Sequence, residues 1–241
     1  MSREFVRTEK VLGPEAMRVI RSSKILLFGV GGVGGNCAEA LARCGIGKLT
    51  LVDHDDVAVS NINRQVFALH STVGMKKTEA ARQRIKDISP DTEVICCPVF
   101  YLPGQCDEIN FSEYDYIIDA IDTVTAKLDI IEQAAKCGVP VISAMGCGNR
   151  TDPSKLCIRD LFETKGDPLA KVMRRELRKR GITKLTVCCS DEPPIKPLIT
   201  EEEETLPAGK RAIPGSTAFV PPAAGILIAS YVIRQLSAGK R

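Results

Sequence analysis

Three glycines spaced as Gly29-x-Gly31-x-x-Gly34 stand between an apolar run of strand length and the start of a helical pattern. In that setting glycines let the backbone approach a phosphate, and the helix N-terminus offers it unpaired N–H groups, so the chemistry on offer is nucleotide binding. Asp53 closes the next strand-like run, 24 positions after Gly29, where a carboxylate accepts hydrogen bonds from ribose hydroxyls. A bare glycine turn with a capping aspartate is the bland alternative.

A redox dinucleotide is the default partner of such a motif, but the residues after Asp53 fit it poorly. Asn61, Arg64, Gln65 and Lys77 follow in polar or helix-start positions. Donors of these types suit a triphosphate: an arginine fork bridges phosphate oxygens, a lysine adds a compact charge, and both neutralise a departing pyrophosphate. Asp119 and Asp122 flank the end of a later apolar run, the edge where open α/β sheets bind ligands. Asp122 emerges just beyond the run and is the better placed to hold Mg2+ against phosphates; Asp119 would orient the loop or cap the next helix. A solvated loop for the cluster and helix capping for Asp122 are the competing readings.

The elements that must position these residues alternate in type. Strand-like runs at 24–30, 48–53, 93–99, 114–120 and 139–144 are separated by helical patterns at 36–43, 75–88 and 124–137, after a short amphipathic opening at 13–23. Continuous apolar strands between helices predict an α/β, Rossmann-like fold: a mostly parallel sheet with helices on both faces. Beyond residue 148 come a loop at 149–154, a strand at 156–159, a basic helix at 167–180, a strand at 184–189, a proline-rich excursion at 191–214 with four successive glutamates, and an apolar helix at 223–236. The expectation is one domain, 1–241, with a nucleotide-binding core at 1–147 and a C-terminal part at 148–241 packing back on it.

Composition excludes several classes. With 241 residues, 44% hydrophobic and 26% charged, the chain is neither disordered nor a fibrous repeat. Ten cysteines without a Cys-x-x-Cys pair, beside only His54 and His70, argue against structural zinc. The opening residues lack the apolar stretch of a signal peptide, so the cysteines read as thiols in a reducing cytosol. Cys188 and Cys189 lie in a strand-like run and read as buried; Cys147 could line a site but has no evident base. The uncharged run 212–233 is long enough to span a bilayer, yet Pro214, Gly215, Pro221, Pro222 and Gly225 interrupt it, which favours a buried helix and leaves peripheral membrane attachment open. The net charge of +3 announces no nucleic-acid binder, but between 165 and 184 eight Lys or Arg face two acids. That local excess makes Arg174, Arg175, Arg178 and Lys179 candidates for phosphate contact, with a solvated helix face as the alternative.

Taken together, Gly29-Val-Gly-Gly-Val-Gly34, Asp53-His-Asp-Asp56, Ser60-Asn-Ile-Asn-Arg-Gln65, Val73-Gly-Met-Lys-Lys77 and Asp119-Ala-Ile-Asp122 resemble the ThiF/MoeB/HesA group of adenylating enzymes, relatives of ubiquitin-activating enzymes. Ala40-Leu-Ala-Arg-Cys-Gly-Ile-Gly47, Thr151-Asp-Pro153, Asp167-Pro-Leu-Ala170 and Ser190-Asp-Glu192 extend the likeness to the branch that dehydrates threonylcarbamoyladenosine in tRNA. The resemblance implies that Gly29, Gly31, Gly32, Gly34 and Asp53 hold ATP, that Asn61, Arg64 and Lys77 meet its phosphates, and that Asp122 serves Mg2+. Phe5-Val-Arg-Thr8 is similar to the group's N-terminal segment, which makes Arg7 a residue reaching the neighbouring subunit's ATP and implies a homodimer. The implied substrate is tRNA carrying the modified nucleoside, which lifts the basic helix to a tRNA contact. A cysteine desulfurase or sulfur acceptor is a further implied partner. The rival functions are activation of a ubiquitin-like sulfur carrier, whose enzymes in this group usually carry paired zinc cysteines, an NAD(P)-dependent oxidoreductase, and a non-catalytic scaffold.

Overall fold

A computed structural model describes residues 3–104, 109–198 and 214–240. The chain opens with two short helices, α1 (Val6–Leu12) and α2 (Pro14–Ser22), then enters β1 (Lys24–Phe28), α3 (Gly34–Arg43) and β2 (Lys48–Val52). It continues with α4 (Lys77–Ile88), β3 (Glu93–Cys97), β4 (Tyr116–Asp119), α5 (Val124–Cys137) and β5 (Val141–Ala144), then β6 (Leu156–Asp160), α6 (Pro168–Lys179), β7 (Thr186–Ser190) and α7 (Val220–Leu236). The seven strands form one sheet in the order β3-β2-β1-β4-β5-β7-β6. Every pairing is parallel except β6 with β7, which is antiparallel.

The apolar runs are continuous because both faces of the sheet are covered. Ile25 and Leu27 of β1 pack with Leu41, Ala80, Ile228 and Val232 from α3, α4 and α7. Leu26 and Phe28, pointing the other way, pack with Ala126, Ile130 and Ala134 of α5. Beside that second layer, α6 contributes Ala170, Met173 and Leu177 against Val187 and Cys189 of β7. Each fully buried Leu, Ile, Val, Met or Phe among these contributes roughly 1.5–3 kcal/mol relative to exposure.

The final helix packs back on the framework as the sequence suggests. It begins at Val220, earlier than the expected 223, because prolines at 221 and 222 occupy the first turn, where a missing N–H costs nothing. Gly225 permits its approach: a Cβ there would lie 2.2 Å from the Val33 carbonyl oxygen. Among the described residues no helix is long and apolar enough to cross a membrane. Most of the expected excursion at 191–214 lies outside the described residues, including the four glutamates.

Strand order reverses direction between β1 and β4. In open α/β sheets that switch opens a crevice beyond the C-terminal strand ends. The turns after β1, β2, β4 and β5 all meet there.

Candidate functional site

The turn after β1 accepts nothing larger than glycine at two positions. Gly29 has φ +86°, and a Cβ on it would lie 2.7 Å from the Ala120 carbonyl oxygen. A Cβ on Gly34 would lie 1.8 Å from the Gly29 carbonyl oxygen. Gly31 differs, since the nearest atom to its virtual Cβ is Gln65 Nε2 at 3.8 Å. The space above it is therefore free for a ligand. Gly32 is crowded by Pro221 at 3.1 Å and the Arg64 stem at 3.4 Å, so α7 buttresses the turn from behind. The Val30 N–H donates to Asp53 Oδ2 at 2.7 Å and the Asp55 N–H to Asp53 Oδ1 at 2.9 Å. Those two bonds fix the Asp53 carboxylate while leaving each oxygen a second lone pair.

The cations flank this turn. Lys77 opens α4 and is 7% exposed, and its Nζ lies 2.6 Å from Asp55 Oδ2. Burial acts to raise the Asp55 carboxyl, but the hydrogen bond and charge of Lys77, with help from His54 and Lys76, hold it below its ordinary value. Arg64 Nη1 donates to the Ser60 carbonyl at 2.9 Å and to Asn63 Oδ1 at 2.8 Å. Asn61 accepts the Ala58 N–H through Oδ1 at 3.2 Å, which shapes the same loop. Asn36 stitches loop to turn by donating to the Gly32 carbonyl at 2.8 Å and the Arg64 carbonyl at 3.4 Å.

At the end of β4, Asp119 and Asp122 part company. Asp119 is fully buried against Lys127 and Ser143 and takes the Ile121 N–H at 3.3 Å, so it orients the loop and does not cap α5. Thr123 stands at the N-cap of α5 without a side-chain bond. Asp122 is exposed and has no partner among the described residues.

A cleft of about 590 Å3 gathers these groups. Gly31, Asp53, Asn61, Arg64, Lys77 and Asp122 line one part of it. Residues 145–148, Leu169 of α6 and Pro214 line the other. A larger recess, about 740 Å3, lies at the opposite ends of the strands and touches none of these residues.

Next to the second part of the cleft, Arg150 and Asp167 form a buried pair at 2.9 Å, while Arg150 also donates to the Ser190 carbonyl at 2.7 Å. Asp167 caps α6 by accepting the Ala170 N–H. Asn149, at φ +59°, binds the chain early in the proline-rich stretch and again just after it. Its carbonyl accepts the Ile195 N–H, its Oδ1 accepts the Gly215 N–H, and its own N–H donates to the Gly215 carbonyl, each at 2.7 Å. Glu192 takes the N–H groups of Asp152 at 3.0 Å and of Thr151 at 3.0 Å, and these bonds lower its pKa.

Other expected residues are placed as follows. The Cys147 thiol lines the cleft, but burial pushes its pKa up to about 11, which disfavours the thiolate. Cys188 and Cys189 are buried, and burial raises both. Asp53, His54 and Asp55 bring three ligand atoms within 4.8 Å of one another, though Asp55 is already paired with Lys77. On α6, Arg175 and Lys179 flank Glu176, Arg178 stacks over the Phe162 ring at 5.3 Å, and Arg174 turns inward to the Thr164 carbonyl and hydroxyl. Arg7 is exposed on α1. The neighbouring Phe5 packs on Gly45, which precedes β2 and so sits at the sheet edge opposite the cleft.

Sequence reasoning passed over Lys127, Arg150, Asn36 and Asn149. Lys127 carried a signal: the one basic residue among positions 126–131, where Ala126, Leu128, Ile130 and Ile131 are buried. Arg150, Asn36 and Asn149 carried none, because their partners lie far along the chain or are backbone atoms.

A family model described as the ThiF family matches residues 4–240. The tRNA threonylcarbamoyladenosine dehydratase of Bacillus subtilis is 41% identical over 243 residues, covering 98% of this chain and 95% of that protein. The Escherichia coli protein of the same name is 38% identical over 174 residues, which is 72% of this chain and 65% of that one. The crystal structure of the E. coli tRNA N6-threonylcarbamoyladenosine dehydratase in complex with ATP superposes with a TM-score of 0.86 at 32% identity, over 98% of this chain and 94% of that chain. The corresponding AMP complex gives 0.87 with the same identity and coverage. The chain belongs to the ThiF family.

Proposed function

We propose that this protein is an ATP-dependent tRNA threonylcarbamoyladenosine dehydratase. The observation that carries the reading is the convergence of Gly31, Asp53, Arg64, Lys77 and Asp122 on one cleft that continues past them to residues 145–148. The similarity to dehydratases over nearly the whole chain, and the ATP and AMP complexes of the E. coli relative, support it.

A free carboxylate is a poor electrophile, so dehydration needs activation. The carboxylate of the threonylcarbamoyl group attacks the α-phosphorus of ATP, forming an acyl-adenylate and releasing pyrophosphate. The carbamoyl group then closes on the activated carbonyl and expels AMP. The glycine turn and Asp53 hold the nucleotide, while Asn61, Arg64 and Lys77 bind phosphate oxygens and stabilise the charge that builds on the leaving group. The extension of the cleft toward Gly146 and Gly148 gives the substrate carboxylate an approach to the α-phosphorus. Asp122 suits a divalent cation, being an exposed carboxylate on the cleft without a protein partner among the described residues. Mg2+ held there would screen the triphosphate and the departing pyrophosphate.

Arg7 completes the site in a homodimer, because its own chain's cleft lies at the far edge of the sheet. The exposed Arg175, Arg178 and Lys179 supply tRNA phosphate contacts; Arg174, bonded to Thr164, serves α6 itself. The deciding experiment incubates the protein with ATP, Mg2+ and tRNA bearing threonylcarbamoyladenosine, then digests the tRNA. A nucleoside lighter by one water, formed with AMP, is expected; AMP release that instead requires a small carrier protein ending in Gly-Gly would overturn the reading.

A further inference from the structure

A buried ammonium is costly unless its charge is paired and its protons find acceptors. Lys127 on α5 is fully buried. Its Nζ lies 2.9 Å from Asp119 Oδ2 and 2.9 Å from the Ile121 carbonyl oxygen. Asp119, equally buried, takes the Ser143 hydroxyl at 2.6 Å and the Ile121 N–H at 3.3 Å. Ile121 thus gives its N–H to the carboxylate and its carbonyl to the ammonium. The ion pair grips from both sides the residue that precedes Asp122. One residue earlier, the Ala120 carbonyl is the atom that forces glycine at position 29. The glycine turn and the Asp122 turn therefore touch each other directly.

Stability alone is a poor account of this arrangement. Apolar side chains of similar volume hold a fold as well as a buried ion pair does, and the neighbours of Lys127 on α5 are apolar. What an ammonium supplies and an apolar side chain cannot is a directed bond to the Ile121 carbonyl.

We infer that Lys127 is a positioning residue for Asp122, acting through the Ile121 carbonyl without touching the nucleotide. It sets the distance between the Asp122 carboxylate and the glycine turn. The inference rests on the reading of the cleft as an adenylating site, in which Asp122 meets metal-bound phosphates.

The test pairs Lys127→Met with Asp119→Asn, which removes both charges and leaves none buried alone. ATP-induced thermal stabilisation is measured with and without Mg2+, and kcat and KM alongside. Folded protein is expected, with ATP stabilisation in the absence of Mg2+ unchanged and the Mg2+ concentration for half of its added effect raised about 10–100-fold, the range for residues that orient metal ligands. The loss should fall on kcat more than on the KM for ATP, and Lys127→Arg alone should recover part of it. A parental Mg2+ response in the double variant, loss of its fold, or no recovery with arginine would each overturn the inference. Because the binding readout needs no tRNA, a parental protein that binds ATP with Mg2+ but does not dehydrate the nucleoside would refute the proposed function and still report on Lys127.

Discussion

Lys77 Nζ lies 2.6 Å from Asp55 Oδ2, and of the two side chains only the lysine is buried. On the proposed function, Asp55 holds the lysine in place for the phosphates. Lys77→Ala should lower turnover by about 10²–10³-fold, the usual cost of deleting one donor to developing negative charge. Single-turnover AMP formation reads this, and a loss below threefold would place the phosphates elsewhere.

The same pair has a pH signature. The Asp55 carboxyl sits below its ordinary value in the folded protein. Its stabilising contribution is thus complete above the unfolded carboxyl's pKa and is lost as pH falls through the lowered folded one. The melting-temperature gap between the parental protein and Asp55→Asn should be widest near neutrality and shrink from about pH 5 downward. A gap that persists unchanged in acid would refute the coupling.

Two glycine substitutions should fail differently. A methyl at Gly34 meets the Gly29 carbonyl at 1.8 Å, whereas one at Gly31 meets nothing nearer than 3.8 Å. Gly34→Ala should destabilise the protein by at least the ~1–3 kcal/mol typical of overpacking. Gly31→Ala should melt close to the parental protein yet lose ATP-induced stabilisation. Differential scanning calorimetry with and without ATP separates the two.

Breaking the Arg150–Asp167 pair from one side should cost about 3–5 kcal/mol, since Arg150→Met strands a buried carboxylate. Adding Asp167→Asn, which still caps α6, should recover most of the loss. Denaturant midpoints of the single and double variants measure the difference.

Complementation tests the dimer. Chains carrying Arg7→Ala and chains carrying Asp122→Ala should each be nearly inactive, but mixed dimers should regain activity, because one of their sites combines an intact Asp122 with an intact Arg7 from across the interface. Mixing without recovery would place Arg7 outside the catalytic machinery.

Substitution of Arg175, Arg178 and Lys179 by alanine should weaken tRNA binding and flatten its dependence on salt, by about 0.7–0.9 in log–log slope for each phosphate no longer neutralised. ATP binding should not change. An unaltered salt slope would return α6 to the role of a solvated face.

Most of the sheet was legible because its strands are continuous apolar runs; β1 and β2 fall inside the expected stretches at 24–30 and 48–53. The glycine turn, Arg64, Lys77 and Asp122, expected from side-chain type and spacing to share a nucleotide site, all line one cleft. Helix α1 was missed since it is seven residues long and buries none of them, so it has no apolar stripe to detect. Helix α3 starts at Gly34, two residues before the helical pattern at 36–43, because the low helix propensity of Gly34 and Gly35 masks the start. The antiparallel setting of β6 has no local signature; it depends on Leu156 meeting Ser190 and Asp160 meeting Thr186 across about thirty residues of chain. Lys127 was overlooked because a lone lysine in an apolar pattern reads as a surface position until its partner, Asp119, is seen beneath it.

Asn149 ties down both Ile195 and Gly215. The intervening polypeptide departs from and returns to a single asparagine, much as a hairpin is pinned at its base. Loop-closure entropy grows only with the logarithm of length, so lengthening the segment between these two anchors by a few residues should cost the sheet little stability.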